Sequence, residues 1–390
     1  MRVVISVIRP FHSVLMANTL TKDQHSVKLY SAAPRRFFKG LAPEIKTRLI
    51  PAPLEYVCRL AGRYFPVDVM LREALFFDRA VSVLIGNFDV YIGWASLSLY
   101  SGIAAKRKGG RYVLDRACPH FDFQQDIVRE ESAEIGAKFV EAPAWFRDRV
   151  LREYEEADTI LVPSDYTARS FPAVLRSKLI KAPLIGRCNV PETVQAKRNE
   201  TFTVGIVGGE PRRKGFLYLL RAWKKLGLPN ARLLVRTSAD FSNYPVLNRL
   251  LKEMPNVEVV RFVPNISEFY RRCDAFVLSS IDDGFGMALF EAMANGVPCI
   301  ATRNCGASEL LTDGEDGIVV DARSDEQIAA ALLRLYQNEE ERRSIAEKGR
   351  QTAIHIASGA GTRMYEQAIR DMLSIDSAQV GAVPASSHST

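Results

Sequence analysis

The stretch DDGFGMALFEAMANGVPCIAT, which begins at Asp282, sets one carboxylate, Asp283, before two glycines and a second, Glu291, inside the apolar, helix-like run that follows. A β-rich run, AFVLSS, ends at Ser280 and a helical pattern starts near Gly286, so IDDGF reads as a strand-to-helix loop. Gly284 and Gly286, flanking Phe285, let the backbone come close to a bound anion. The unpaired N–H groups of the first helical turn, near Gly286 and Met287, favour negative charge. The chemistry is that of a diphosphate cradle. Asp283 lies beside it in the loop, and Glu291 is set back on the second helical turn. Carboxylates accept paired hydroxyls well, so one acid facing a sugar and the other a ribose suits a sugar nucleotide. A helix cap at Asp283 and a solvated helix residue at Glu291 are the plainer alternatives.

A basic cluster complements these acids. In VGIVGGEPRRKGFLYLLRAW a strand runs into Gly208 and Gly209, and Arg212, Arg213 and Lys214 precede a helix that starts near Gly215. Cations at a helix N-terminus are mildly unfavourable unless an anion binds there. The sequence leaves open which of Arg212 and Arg213 turns inward. Two of the five histidines fall near strand ends: His12 in VISVIRPFHSVLMANTL and His120 in YVLDRACPHFDFQQDIVREE. His12 reads equally as an acceptor-side ligand and as a helix residue facing solvent. His120 reads as a group that contacts a sugar or orients an acceptor, against the alternative of a packed histidine.

The elements that must position these residues follow a βα rhythm. RVVISVI, FDVYIGW, RYVLDRA and TILVPS alternate with amphipathic stretches in the first half, and TFTVGIVGG, ARLLVRT, VEVVRFV, AFVLSS, VPCIAT and GIVVD do so in the second. A chain of 390 residues, 47% hydrophobic and 25% charged, is too long for one comfortable core. The expected division is an N-terminal acceptor-binding domain over 1–190, a linker over 191–200 and a C-terminal nucleotide-sugar-binding domain over 201–357. A helix over 358–375 packs back on the first domain, and a Ser-, Ala- and Gly-rich tail over 376–390 is disordered. The linker belongs to a polar passage, Gly186 to Thr201, without apolar period. Val81 to Ala105 is long enough for a membrane span, but Asp89 and the Gly86-Asn87 break argue for a strand and a helix instead. The N-terminal apolar run is broken by Arg9 and Pro10, too short for a signal peptide. The six cysteines show no Cys-x-x-Cys spacing and read as reduced thiols. A formal net charge of +7 admits an acidic partner without choosing one.

Taken together, SSIDDGFGMALFEAMANGVPCIATRNCGASELLTDGEDGIVV resembles the donor-site signature of the family 4 glycosyltransferases of the GT-B fold. In that family two glutamates bracket seven residues; Asp283 and Glu291 bracket seven here, the first shortened to aspartate. The resemblance implies that Asp283 reaches the donor sugar and Glu291 the ribose. Lys214 matches a lysine on the donor diphosphate. Gly208 and Gly209 occupy the neighbourhood of the family's arginine, which Arg212 or Arg213 replaces. Gly306 and Glu309 are implied as supporting contacts of the donor cleft, His120 as the histidine near the reacting carbon, and His12 stands where glycines are usual. In EYEEADTILVPSDYTARSF, Ser164 caps a helix.

The implied fold is α/β, two Rossmann-like doubly wound domains facing a central cleft. The implied activity is retaining transfer from a UDP- or GDP-sugar to a saccharide or lipid-linked hydroxyl acceptor, in bacterial surface polysaccharide or glycolipid assembly. No cofactor is implied. His120, Lys214 and Asp283 are the expected catalytic residues, with Gly209 and Met287 among the donor contacts. No Asp-x-Asp occurs, so metal-independent transfer is expected. The expected location is cytoplasmic, and the basic, aromatic stretches PRRFFKG from Pro34 and AAKRKGGRY from Ala104 fit an anionic membrane surface. No nucleic-acid partner is expected. The competing readings are a sugar-nucleotide epimerase of the same fold and a non-catalytic basic binding protein.

Overall fold

Seven short runs, β1 (Arg2–Val7), β2 (Ser26–Ser31), β3 (Lys46–Leu49), β4 (Val90–Trp94), β5 (Arg111–Asp115), β6 (Thr159–Val162) and β7 (Leu179–Lys181), form a parallel sheet in the order β3-β2-β1-β4-β5-β6-β7. The computed structural model describes residues 1–50, 67–184, 190–191 and 200–374. Helices α1 (Ser13–Lys22), α2 (Val67–Leu84), α3 (Leu99–Arg107), α4 (Phe121–Glu134), α5 (Ala144–Glu156) and α6 (Asp165–Arg169) connect the strands. Alternate residues of β1 feed opposite cores: Val3, Ile5 and Val7 pack with α1, whereas Val4 packs with Tyr91, Tyr112 and α2. Burial on both faces explains the near-continuous apolar reading of β1, β4 and β6. Three strands escaped the sequence reading: β2, β3 and β7. β3 and β7 are the sheet edges, where polar residues such as Lys46 and Lys181 stay exposed.

The second sheet comprises β8 (Phe202–Val207), β9 (Ala231–Arg236), β10 (Val257–Val260), β11 (Ala275–Leu278), β12 (Cys299–Thr302) and β13 (Ile318–Val320). Its order is β10-β9-β8-β11-β12-β13, all parallel. The strand order reverses between β8 and β11, and ligands of doubly wound sheets bind beyond the strand ends at such a point. Helices α7 (Phe216–Leu226), α8 (Pro245–Glu253), α9 (Ile266–Arg271), α10 (Met287–Ala294), α11 (Asp325–Gln337) and α12 (Glu339–His355) cover it. After α12 the chain kinks at Gly359 (φ 123°). The last helix, α13 (Gly361–Ser374), then lies on the N-terminal sheet, with Ile369 and Met372 in one core with Val3 and Ile5.

A second element also crosses between domains. Ile127 and Ile135, on and just after α4, pack into the C-terminal core with Phe216 and Leu220. Glu131, only 1% exposed, accepts Arg323 Nε at 2.7 Å and the Tyr218 hydroxyl at 3.2 Å. No helix among the described residues is long and apolar enough to cross a membrane; Val81 to Ala105 is instead the end of α2, β4 and most of α3. Apart from Pro191 and Glu200, the linker expected over 191–200 lies outside the described residues, as do the tail over 376–390 and Cys58 and Cys188. Cys118, Cys273, Cys299 and Cys305 are free thiols.

Candidate active site

The loops after β8 and β11 meet at the reversal point of the C-terminal sheet. The Arg213 carbonyl accepts the N–H groups of Ile281 at 2.8 Å and Asp282 at 3.2 Å, and Ser279 Oγ donates to the Lys214 carbonyl at 3.1 Å. Backbone stitching of this kind fixes the side chains. Lys214 Nζ donates directly to Asp283 Oδ2, and the pair keeps 22% and 12% of its side-chain surface exposed. Arg213 Nε donates to Asp282 Oδ2 at 2.7 Å. Burial alone would lower the Arg213 pKa, but Asp282, together with Cys118 and Asp283, outweighs it and the guanidinium stands above its ordinary value. Arg212 turns away: it pairs with Glu210 at 2.7 Å and reaches Ser132 of α4 at 3.1 Å. Arg213 is therefore the arginine beside the acids. Gly209 is exposed, and a side chain there would meet nothing closer than Ser238 Oγ at 3.8 Å.

Asp283 does not cap the following helix. Its carbonyl accepts Gly306 N–H at 3.0 Å while its own N–H donates to Asn304, so its carboxylate is held at the loop's edge. The helix cap is Gly286, whose φ of 88° suits glycine. Met287 and Ala288, half-buried, begin the first turn. Phe285 is buried, its ring centroid 5.8 Å from that of Phe290. Gly284 sits where the two domains meet. Its bare Cα faces the N-terminal domain, because a Cβ would collide with the Ala117 carbonyl oxygen, and its own carbonyl accepts Ser164 Oγ at 2.7 Å. Gly284 is thus a packing point between the domains. Glu309 likewise caps α6 of the other domain, accepting the N–H groups of Asp165 at 2.9 Å and Tyr166 at 2.6 Å. Ser164 caps the same helix through Thr167 N–H at 3.1 Å. Glu291, half-buried on α10, accepts the Tyr270 hydroxyl at 2.9 Å; burial raises its pKa, against the effect of that bond.

The N-terminal side contributes differently. His120 caps α4 by position, is 8% exposed, and packs tilted on Tyr154 and edge-on against Phe171, with ring centroids 5.0 and 5.3 Å away. Burial lowers its pKa. The imidazole is packed against these two rings. His12 does not face solvent. Its side chain is 8% exposed, Nε2 lies 2.6 Å from Asp115 Oδ2, and the ring sits 4.8 Å from Trp94. These residues follow β1, β4 and β5, at the reversal point of the first sheet. Two residues beyond Asp115, Ala117 touches Gly284. Neither imidazole is hydrogen-bonded to the C-terminal domain among the described residues.

Residues 192–352 match the model of the family described as "Glycosyl transferases group 1". The capsular polysaccharide biosynthesis glycosyltransferase CapM of Staphylococcus aureus is 31% identical over 160 residues, 39% of this chain and 41% of that protein. The lipopolysaccharide core biosynthesis glycosyltransferase LpsD of Rhizobium meliloti is 31% identical over 193 residues, 49% of this chain and 52% of that protein. The chain thus spans about half or less of the length of these curated relatives. Over nearly the whole chain the fold is similar to Anabaena HepE, solved in complex with UDP and glucose, with a TM-score of 0.67 at 15% identity, covering 96% of this chain and all of that one. The two sheets and their covering helices are a GT-B fold.

Within the matched segment, the loops bring together Lys214, Asp283 and Arg213, with Glu291 on the helix that follows. The arrangement offers two cations for a diphosphate and two acids for hydroxyls. Asp282 was missed. It lies next to the quoted acid, in the loop just beyond β11, and is fully buried, where an acid needs a cation. Asp115 and Tyr270 gave no signal, because their partners lie 103 and 21 residues away in sequence.

Proposed function

We propose that this protein is a retaining glycosyltransferase that moves a sugar from a nucleotide diphosphate to a hydroxyl acceptor. The observation that carries the reading is the ion pair of Lys214 with Asp283, beside Arg213, at the reversal point of a doubly wound sheet. Here the two charges satisfy each other. A donor replaces that pair: the diphosphate takes Lys214 and Arg213, and a sugar hydroxyl donates to Asp283. Glu291 accepts from the ribose. Breaking the anomeric C–O bond develops negative charge on the diphosphate and positive charge on the ring, so Lys214, Arg213 and the first turn of α10 stabilise the leaving group without a metal. The departing phosphate oxygen takes the acceptor's proton as the hydroxyl attacks from the same face. The names of CapM and LpsD support surface polysaccharide or glycolipid assembly, and the UDP complex of HepE supports a nucleotide donor.

The acceptor is a saccharide or lipid-linked hydroxyl that approaches His12, Trp94 and Asp115 from the N-terminal side, at the cytoplasmic face of a membrane. Phe37, 53% exposed beside Arg36, suits such a surface; Lys106 and Lys108 of the second basic stretch are instead tied to Asp158 at 3.3 Å and the Ile85 carbonyl at 2.6 Å. The testing experiment is a panel of UDP- and GDP-sugars, scored by thermal shift and by release of nucleotide. A sugar nucleotide that raises the melting temperature and turns over is the expected result. No shift and no release across the panel would sink the reading. Turnover abolished by EDTA and restored by manganese would sink its metal-free form.

A further inference from the structure

Asp282 has no accessible surface, so what it holds fixes its position. Its Oδ2 accepts Arg213 Nε at 2.7 Å and Gln124 Nε2 at 2.8 Å, and its Oδ1 shares the Tyr166 hydroxyl, 3.3 Å away, with the Ile281 carbonyl. Arg213 follows β8 of the C-terminal sheet, whereas Gln124 and Tyr166 belong to α4 and α6 of the N-terminal domain. One buried anion therefore collects donors from both domains.

The geometry of the guanidinium shows the consequence. Arg213 gives Asp282 only its Nε; its Nη1 and Nη2 have no hydrogen-bond partner among the described residues, and the side chain is 24% exposed. A buried carboxylate has about four lone-pair sites to fill. While Gln124 and Tyr166 fill two of them, Asp282 holds Arg213 by one edge and leaves the outer edge of the fork for an anion. Without those two neutral donors, the carboxylate draws in the rest of the guanidinium as a bidentate pair, and the fork is lost to a ligand.

We propose that Asp282 is a positioning residue that couples the approach of the two domains to phosphate binding, by presenting the Arg213 fork only while Gln124 and Tyr166 share its charge. The inference rests on the donor reading above. It makes the N-terminal domain a determinant of diphosphate affinity although Gln124 and Tyr166 act on the phosphate only through Asp282.

The test is a double-mutant cycle on the full chain, with calorimetric affinity for UDP and for GDP measured in wild type, Gln124→Leu, Arg213→Met and the double variant. Circular dichroism melts accompany each protein. Gln124→Leu is expected to weaken the nucleotide diphosphate by about five-fold or more, and to change nothing once Arg213 is already methionine. Tyr166→Phe, which deletes one hydroxyl from the same cluster, is expected to act in the same direction and serves if Gln124→Leu does not fold. Affinity for the bare nucleoside, followed by NMR titration, is expected to stay constant, because it carries no phosphate for Arg213. Losses that simply multiply in the double variant, or an equal loss for the nucleoside, would overturn the coupling. Wild type that binds neither UDP nor GDP would overturn the donor reading and this inference with it. Wild type that binds, with Lys214→Ala weakening it and Arg213→Met costing nothing, would overturn this inference alone.

Discussion

Asp283 and Glu291 divide the donor between them if each carboxylate touches the hydroxyls it can reach. Glu291→Ala should weaken even the bare nucleotide diphosphate, by about ten-fold for the loss of a charge-assisted bond. Asp283→Ala should leave that affinity nearly intact and depress transfer by about a hundred-fold, since its contact is with the reacting sugar. Lys214→Ala should reduce both, measured as calorimetric affinity beside the initial rate of transfer. Equal loss of nucleotide affinity in the two acid variants would refute the division. The protonation of Glu291 adds a second expectation. Burial raises its pKa, so on acidification the carboxylate gains its proton, and loses an acceptor for ribose, at a higher pH than an ordinary glutamate. Nucleotide affinity should fall with pH in wild type and lose that component in Glu291→Gln, by titration across the acid range. At this scale the sequence was informative: the acids, the lysine and the basic pair were legible from type and spacing. Choosing between Arg212 and Arg213 was not, because the choice rests on Glu210 and Ser132 claiming one and Asp282 the other.

The elements around the reversal point of the N-terminal sheet are fixed by charges hidden from solvent. Glu153 of α5 accepts the N–H groups of Ser96 and Ser98 in the loop after β4, and Asp78 of α2 accepts those of Tyr100 and Ser101 at the start of α3. Arg149 bridges the two acids at 2.7 and 3.3 Å. Together they satisfy the N–H groups that a helix start leaves unpaired and hold the loop that follows Trp94. Burial, opposed by Arg149, pushes the Glu153 pKa up to about 7 from 4.5. The folded state therefore holds a proton that the unfolded chain releases between those values, and stability falls as pH rises through that window and levels above it. The melting temperature of wild type should decline over that range, and Glu153→Gln should lose the decline. A wild-type profile that rises instead would contradict the assignment. The network was invisible in the sequence, where Asp78 and Arg149 stand 71 residues apart.

For the molecule as a whole, the two domains are joined at more places than their linker. The C-terminal core takes in Ile127 and Ile135, Gly284 packs on Ala117, and α13 lies across the first sheet, where Arg370 also meets Asp23 at 3.1 Å. Removing the guanidinium that partners the buried Glu131 should loosen this arrangement. Arg323→Ala is expected to cost about 2 kcal/mol, the scale of an unsatisfied buried acceptor, and to enlarge the radius of gyration by small-angle scattering in the absence of nucleotide. An unchanged scattering curve and melting temperature would show that the clasp contributes nothing. The alternation of apolar strands and amphipathic helices determined by itself that there would be two doubly wound domains, since hydrophobic period is a local property that each segment satisfies within its own few turns. It also made the two candidate clusters legible, the cations at 212–214 and the acids at 283 and 291, each compact in sequence, although the pairing of Lys214 with Asp283 spans 69 residues. What only the tertiary structure decided were contacts between residues far apart in the chain: Gly284 as a packing point, Glu309 as a cap for the other domain, His12 bound to Asp115, and Asp282 shared between domains. No local pattern encodes these, because a buried charge is stabilised by whichever donors the fold brings to it, and that depends on how the whole chain packs.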